Sequence, residues 1–292
     1  MKREWLLAAA ASVALTLLWL YLYPGLSLKL RIPELVPLHQ VIMFRFIPVI
    51  RDTGSLVEIS GAITFAALPL YLVARRELRR REALEQQVAE LLSLYAGLLA
   101  STGSAADALL VASRILDPPM SIIVEKMARI YRATGDLEKA FREAFRDTPR
   151  RVRIYAYSIV SATKSRGMMH RVLGVASSHA QSTRRLLSLV KSRLSEYGFV
   201  TSLASITYAF SAGIVIGLVE KMSTMSMPMF GKPIDPGILL GLYYYSLLAI
   251  IAASAFIVAR IVHGYTPMTA KYMALLTLAD TLIMVFSPRM LL

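Results

Sequence analysis

The residues able to do chemistry are few and scattered. The chain has no cysteine and only four histidines, His39, His170, His179 and His263. The closest two are nine positions apart, which does not place two imidazoles on adjacent turns of one helix face. Disulfide, thiol and cysteine-ligated metal chemistry are therefore excluded, and no metal site is expected. No HExxH, GxSxG, Walker A or dinucleotide fingerprint occurs. The two acidic residues inside apolar runs, Glu58 and Asp280, belong to separate runs and form no carboxylate pair in sequence. The expectation is no enzyme, no catalytic residue and no cofactor. An acidic side chain inside a span can bind an ion or a proton, so an ion-coupled transporter or channel subunit is the alternative function. No inverted repeat accompanies it, and a transporter would leave the large charged middle segment unexplained.

The remaining chemistry is positive charge. Arg129, Arg132, Lys139, Arg142, Arg146, Arg150, Arg151 and Arg153 accumulate too far from any apolar run to serve mainly as topology signals. They are candidate contacts for an acidic protein partner. A solvated face is the competing reading, because Glu138, Glu143 and Asp147 offset part of the charge. Nucleic acid is not expected, since neither a recognition motif nor a regular interleaving of arginines with aromatics accompanies the charge.

The elements that must position these residues are divided between lipid and water. Of 292 residues, 56% are hydrophobic and only 18% charged, too apolar for an ordinary soluble protein. Five runs can cross hydrocarbon: Trp5–Tyr23, Leu56–Ala74, Phe199–Val219, Ile238–Ala259 and the short Tyr272–Phe286. The first resembles a signal peptide in its basic start, but its length and the lack of a small-residue cleavage motif favour a retained span. Between Arg75 and Glu196 lie 22 of the 33 Lys and Arg and 12 of the 19 acidic residues. The five arginines of RRELRRRE, 75–82, and the basic approach to Phe199 hold both ends of this segment on the cytoplasmic side. The N-terminus is then cytoplasmic as well, and 220–237 is external.

Two external loops carry further signals. In HQVIMFRFIPVI, 39–50, an apolar run interrupted by Arg45 is too short to span, so an interfacial helix or a re-entrant piece is expected. KMSTMSMPMFGKP, 221–233, holds four methionines that could adapt to a partner or simply face lipid. GIVIG, with Gly213 and Gly217, is a small-xxx-small pattern for close helix contact, within one chain or between copies.

The middle segment reads as five or six helices. Leu78, Leu84, Val88, Leu91, Leu92, Tyr95 and Leu98 make one stripe, followed by Ile122, Ile123, Met127 and Ile130, by Leu137, Ala140, Phe141, Ala144 and Phe145, and by Val152, Tyr155, Ala156, Ile159 and Val160. Gly103, Gly135 and Gly167 stand where one pattern stops and the next begins, with Ser104 and Asp136 placed as N-caps. The predicted fold class is all-α: a polytopic membrane protein with a cytoplasmic helical bundle. Its domains are two N-terminal spans with an external loop (1–74), the bundle (75–198) and three C-terminal spans (199–292).

LLASTGSAADAL at 98–109, ATGDLEKAFREAF at 133–145 and SATKSRGMMHRVLGVAS at 161–177, in that order and before an arginine-rich helix and a span, carry a resemblance. The chain resembles the type II secretion F-domain platform proteins shared by type II secretion, type IV pili, tight-adherence pili and archaeal surface filaments. The matching positions are Gly103, Ala108 and Leu109, then Gly135, Leu137 and Ala140, then Gly167 and Leu173. Many members carry an acidic residue just before the third glycine, where this chain has Thr163, Lys164 and Ser165. The resemblance implies a cell-membrane platform that couples a cytoplasmic hexameric secretion ATPase to the movement of pilin-like subunits into a fibre. Only one copy of the unit is found, so it also implies a second copy from another molecule, either the same chain or a paralogous platform subunit. Membrane lipids are the remaining expected partner.

Overall fold

The computed structural model describes residues 2–29, 35–37, 41–44, 47–165, 168–224 and 235–290. Nine α-helices are formed by these residues: α1 Lys2–Lys29, α2 Thr53–Thr102, α3 Ala105–Ile115, α4 Met120–Thr134, α5 Leu137–Ala144, α6 Arg150–Lys164, α7 Met169–Thr224, α8 Pro236–Val258 and α9 Thr269–Phe286. Helices α1, α2, α7, α8 and α9 are long and apolar enough to cross a membrane. The architecture is all-α with several long apolar helices, as a multi-pass membrane protein requires. Leu6, Leu7, Leu17, Tyr21 and Leu22 of α1 are all exposed, an apolar surface that water would penalise and hydrocarbon accommodates.

One local expectation is corrected. Residues 41–50 form no interfacial helix but an antiparallel hairpin, β1 Val41–Phe44 with β2 Ile47–Ile50, in which Val41 faces Ile50 and Phe44 faces Ile47. Five of the eight strand positions are the β-branched Val41, Ile42, Ile47, Val49 and Ile50, which lose less in a pleated ribbon than in a helix. Pro48 is tolerated because a two-stranded ribbon leaves N–H positions without a ladder partner. The hairpin abuts α8 at Gly241, where a Cβ would stand 2.6 Å from the Ile50 carbonyl oxygen, so only glycine fits. The helix that contains the first apolar run, Trp5–Tyr23, continues through Pro24 to Lys29. The missing hydrogen bond at a proline is tolerated in such helices, and the Ser27 hydroxyl donates to the Pro24 carbonyl at 2.9 Å one turn on. Arg45 and the methionines from Met225 to Met229 lie outside the described residues.

Two compact units divide the chain inside α2 and α7. One comprises Arg76–Val190, the other the residues up to Arg75 with those from Lys191 on. The core of the first joins Leu84, Leu91, Leu92 and Tyr95 of α2 to Leu109 of α3, Met127 of α4, Phe141 of α5, Ile159 of α6 and Leu173 of α7. Ile122, expected in the α4 stripe, is 63% exposed, while Ile123, Val124 and Met127 turn inward. Gly103 follows α2 at φ +64° and Gly135 follows α4 at φ +68°, a left-handed conformation that glycine adopts without a Cβ penalty. Ser104 caps α3 by accepting the Asp107 N–H at 3.4 Å, and Asp136 caps α5 by accepting from Glu138 and Lys139 at 2.9 and 3.1 Å. Gly167 lies outside the described residues.

In the second unit, Trp19 of α1 packs where a Cβ on Gly61 of α2 would sit, and its indole N–H donates to the Glu58 carbonyl at 2.9 Å. The Ser60 hydroxyl lies 2.6 Å from the Tyr244 hydroxyl and 2.8 Å from that of Thr281, tying α2 to α8 and α9. Gly213 and Gly217 of α7 face the end of α9 within the same chain: a Cβ on Gly213 would overlap the Ser287 hydroxyl and approach the Met284 carbonyl to 2.8 Å, and one on Gly217 would meet Pro288 at 3.0 Å.

Candidate functional site

All eight cationic residues singled out in the middle segment are exposed, but packing divides them. Arg129 pairs with Glu125 one turn earlier in α4, at 2.5 Å. Arg132 reaches from α4 to Asp107 at the start of α3, also at 2.5 Å. Arg142 of α5 binds Glu138 at 2.6 Å, and Lys164 at the end of α6 binds the other oxygen of the same carboxylate at 2.8 Å. The Lys164 and Arg142 bonds hold the Glu138 carboxyl below its ordinary value, and the Arg132 and Ser104 bonds do the same for Asp107. These three arginines join helices to one another or to their own preceding turn. Their fields are partly neutralised within the unit.

Lys139, Arg146, Arg150, Arg151 and Arg153 form no ion pair among the described residues. Four of the five lie within eight positions, from the end of α5 into the first turn of α6, with Pro149 at the N-cap. Pro149 fixes this start, since a proline lacks the N–H that a first helical turn leaves unbonded. Along α6, Arg150, Ile154 and Tyr157 recur at four and three residues and share one outward ridge. Ile154 is 59% and Tyr157 40% exposed, with the Tyr157 ring edge-on to Phe141 at 5.4 Å. This apolar component was missed in the sequence because Tyr155 and Ala156 take the inward positions of the periodic stripe, leaving Ile154 as an unremarked neighbour. Arg150 with Ile154 and Tyr157 joins positive charge to exposed apolar area, a composition suited to docking an acidic protein.

The other candidates separate as clearly. His170 and His179 are exposed, His179 lying against the Tyr155 ring, and His263 bonds the Tyr272 hydroxyl at 3.1 Å. His39 is outside the described residues. No group of three histidine or acidic side chains able to hold a metal occurs among the described residues. Glu58 and Asp280 are both buried, at 6% and 0% exposure. Thr277, three residues before Asp280 on α9, is also fully buried, and Ser205 of α7 stands beside the Asp280 carboxylate. Comparison with family models, curated proteins and solved structures finds no match to this chain.

Proposed function

We propose that the chain is a membrane platform protein of a type IV pilus-like or archaeal filament assembly machine, whose unit 76–190 binds a hexameric secretion ATPase in the cytoplasm. The observation that carries this reading is the α6 ridge of Arg150, Ile154 and Tyr157, with the exposed Arg146 and Arg153 close to it in sequence. It belongs to a separately packed helical unit placed in the chain between apolar helices. Positive charge without an internal partner steers an acidic surface towards it, and the two apolar side chains supply area that can be desolvated. The resemblance of 98–109, 133–145 and 161–177 to F-domain platforms names that partner as the ATPase and the cargo as pilin-like subunits. A second copy of the unit would come from another molecule. The bundle faces the cytoplasm in this proposal because the arginines of 75–82 and the basic residues before Phe199 favour that side, where they also meet anionic lipid.

The test combines Arg146→Glu, Arg150→Glu and Arg153→Glu in the full chain and measures binding of the ATPase from the same filament system at low and physiological salt. Loss of binding with preserved folding is expected, together with a salt dependence in the native chain that the variant lacks. Equal affinity and equal salt dependence would defeat the contact. Orientation is read separately by a single cysteine at exposed Glu143, since the neighbouring Ala140 is fully buried and could not report. Modification by an impermeant reagent in intact cells would reverse the topology.

A further inference from the structure

Within unit 76–190 an open groove of about 550 Å³ runs between α6 and the start of α7. Ile154, Tyr155 and Ser158 line it on the α6 side. On the α7 side its lining positions Met168, Arg171, Val175 and His179 recur every three or four residues and so follow one helix face. From Met168 to His179 that wall extends about 16 Å at 1.5 Å per residue, about three turns of a helix. Ser158 and Ala176 are short and half-buried, whereas Ile154, Met168 and Val175 stand exposed at the sides. Short residues between taller ones leave room for a side chain entering from outside. At the His179 end, the Tyr155 hydroxyl donates to Thr183 at 3.0 Å and the His179 ring stands edge-on to the Tyr155 ring, so these groups are held by contacts of their own.

Charge decides what fits. Among the described residues no acidic side chain lines the groove, and the exposed Arg171 forms no ion pair. The sequence holds no Asp or Glu between Asp147 and Glu196, so neither α6 nor this part of α7 can supply one. A second copy presenting the same groove would set Arg171 against its equal, which opposes pairing. A bilayer surface has no ridge to fill a concave wall. An amphipathic helix has one, with apolar side chains at i, i+3 or i+4 and i+7 over about three turns. Carboxylates on its flanks would answer Arg171.

We propose that the α6–α7 groove is the docking site for an amphipathic α-helix of a protein partner, with an apolar ridge about three turns long and acidic flanks. The ridge covers Ile154, Met168 and Val175, and one of its side chains enters over Ser158 and Ala176. The groove shares Ile154 with the ridge of the ATPase contact but goes beyond that reading, since it stands on its own lining.

The experiment uses the full chain in nanodiscs of zwitterionic lipid. The probe is a fluorescein-labelled synthetic helix of about 18 residues, five turns, with leucines on one face and glutamates elsewhere, followed by fluorescence anisotropy. The expected result is saturable binding of one peptide per chain that weakens as salt rises. Val175→Glu should abolish it. Ile122→Glu should not, although both side chains are 63% exposed, because Ile122 lies on α4 outside the groove. Equal thermal midpoints check that both variants fold. Arg171→Gln should weaken binding by about tenfold and flatten its salt dependence. This variant keeps the test decisive if Val175→Glu does not fold: unchanged affinity and salt dependence would overturn the proposal. So would the absence of saturable binding, undiminished binding to folded Val175→Glu, or equal binding of a peptide of the same composition with its leucines scattered. Displacement of the peptide by phosphatidylglycerol vesicles, whose own binding Val175→Glu abolishes, would assign the groove to an anionic membrane and overturn it as well. The titration contains no ATPase, so its outcome is separate from that of the Arg146, Arg150 and Arg153 test.

Discussion

Replacing Gly135 separates backbone strain from steric exclusion, because the structure removes one of the two. Gly135 sits at φ +68° after α4, its N–H donating to the Tyr131 carbonyl at 2.8 Å. A Cβ built there would meet no atom within 4 Å. Any penalty for Gly135→Ala therefore comes from the left-handed conformation alone, about 1–2 kcal/mol for an L-residue. Reduced freedom of the unfolded chain returns about 0.4–1 kcal/mol, leaving a net loss near 1 kcal/mol. That loss multiplies the open population about fivefold. Hydrogen exchange of the buried α4 and α5 amides in the full chain reads this directly, as a roughly fivefold fall in protection. Gly135→Asn should lose less, since asparagine tolerates this region, and Gly135→Val should lose most. The same substitution in an ordinary helical conformation would stabilise the chain. Equal or greater protection in Gly135→Ala would thus refute the left-handed turn between α4 and α5, and with it the angle at which Asp136 begins α5.

Two further predictions concern charge and close packing. Glu138 is held below its ordinary value by Lys164 and Arg142, so its contribution is complete above the unfolded glutamate value of 4.5 and is lost as pH falls through the lower folded value. NMR titration should place its midpoint below that of a free glutamate, with Lys164→Met moving it back upward; an ordinary midpoint in the native chain would contradict the α5–α6 bridge. Gly213→Leu should lower the thermal midpoint of the full chain through overpacking of about 1–3 kcal/mol against Ser287 and the Met284 carbonyl, while Gly25→Ala, with open space around it, should not. An unshifted midpoint for Gly213→Leu would show that these residues do not meet.

What could be read from the sequence was local. Uncharged runs mark the helices long enough to cross a membrane, because hydrocarbon demands continuous apolar length. Glycine and the short polar caps mark the ends of α2, α3, α4 and α5, because left-handed φ and unbonded first-turn N–H groups are settled within a few residues. The hairpin at 41–50 was not legible as such: a short apolar run fits a buried helix or a strand, and its pairing shows only when both strands are in place. Charge is the least local property of all. Arg132 and Asp107 are 25 residues apart and Lys164 and Glu138 are 26 apart, so no sequence window can assign these partners. Eight cations that read as one cluster accordingly become three with carboxylate partners and five without one among the described residues. A charge already answered inside the fold has little field left to offer outside it. Function is therefore sought at those that packing leaves unanswered among the described residues: Arg146, Arg150 and Arg153 on the surface.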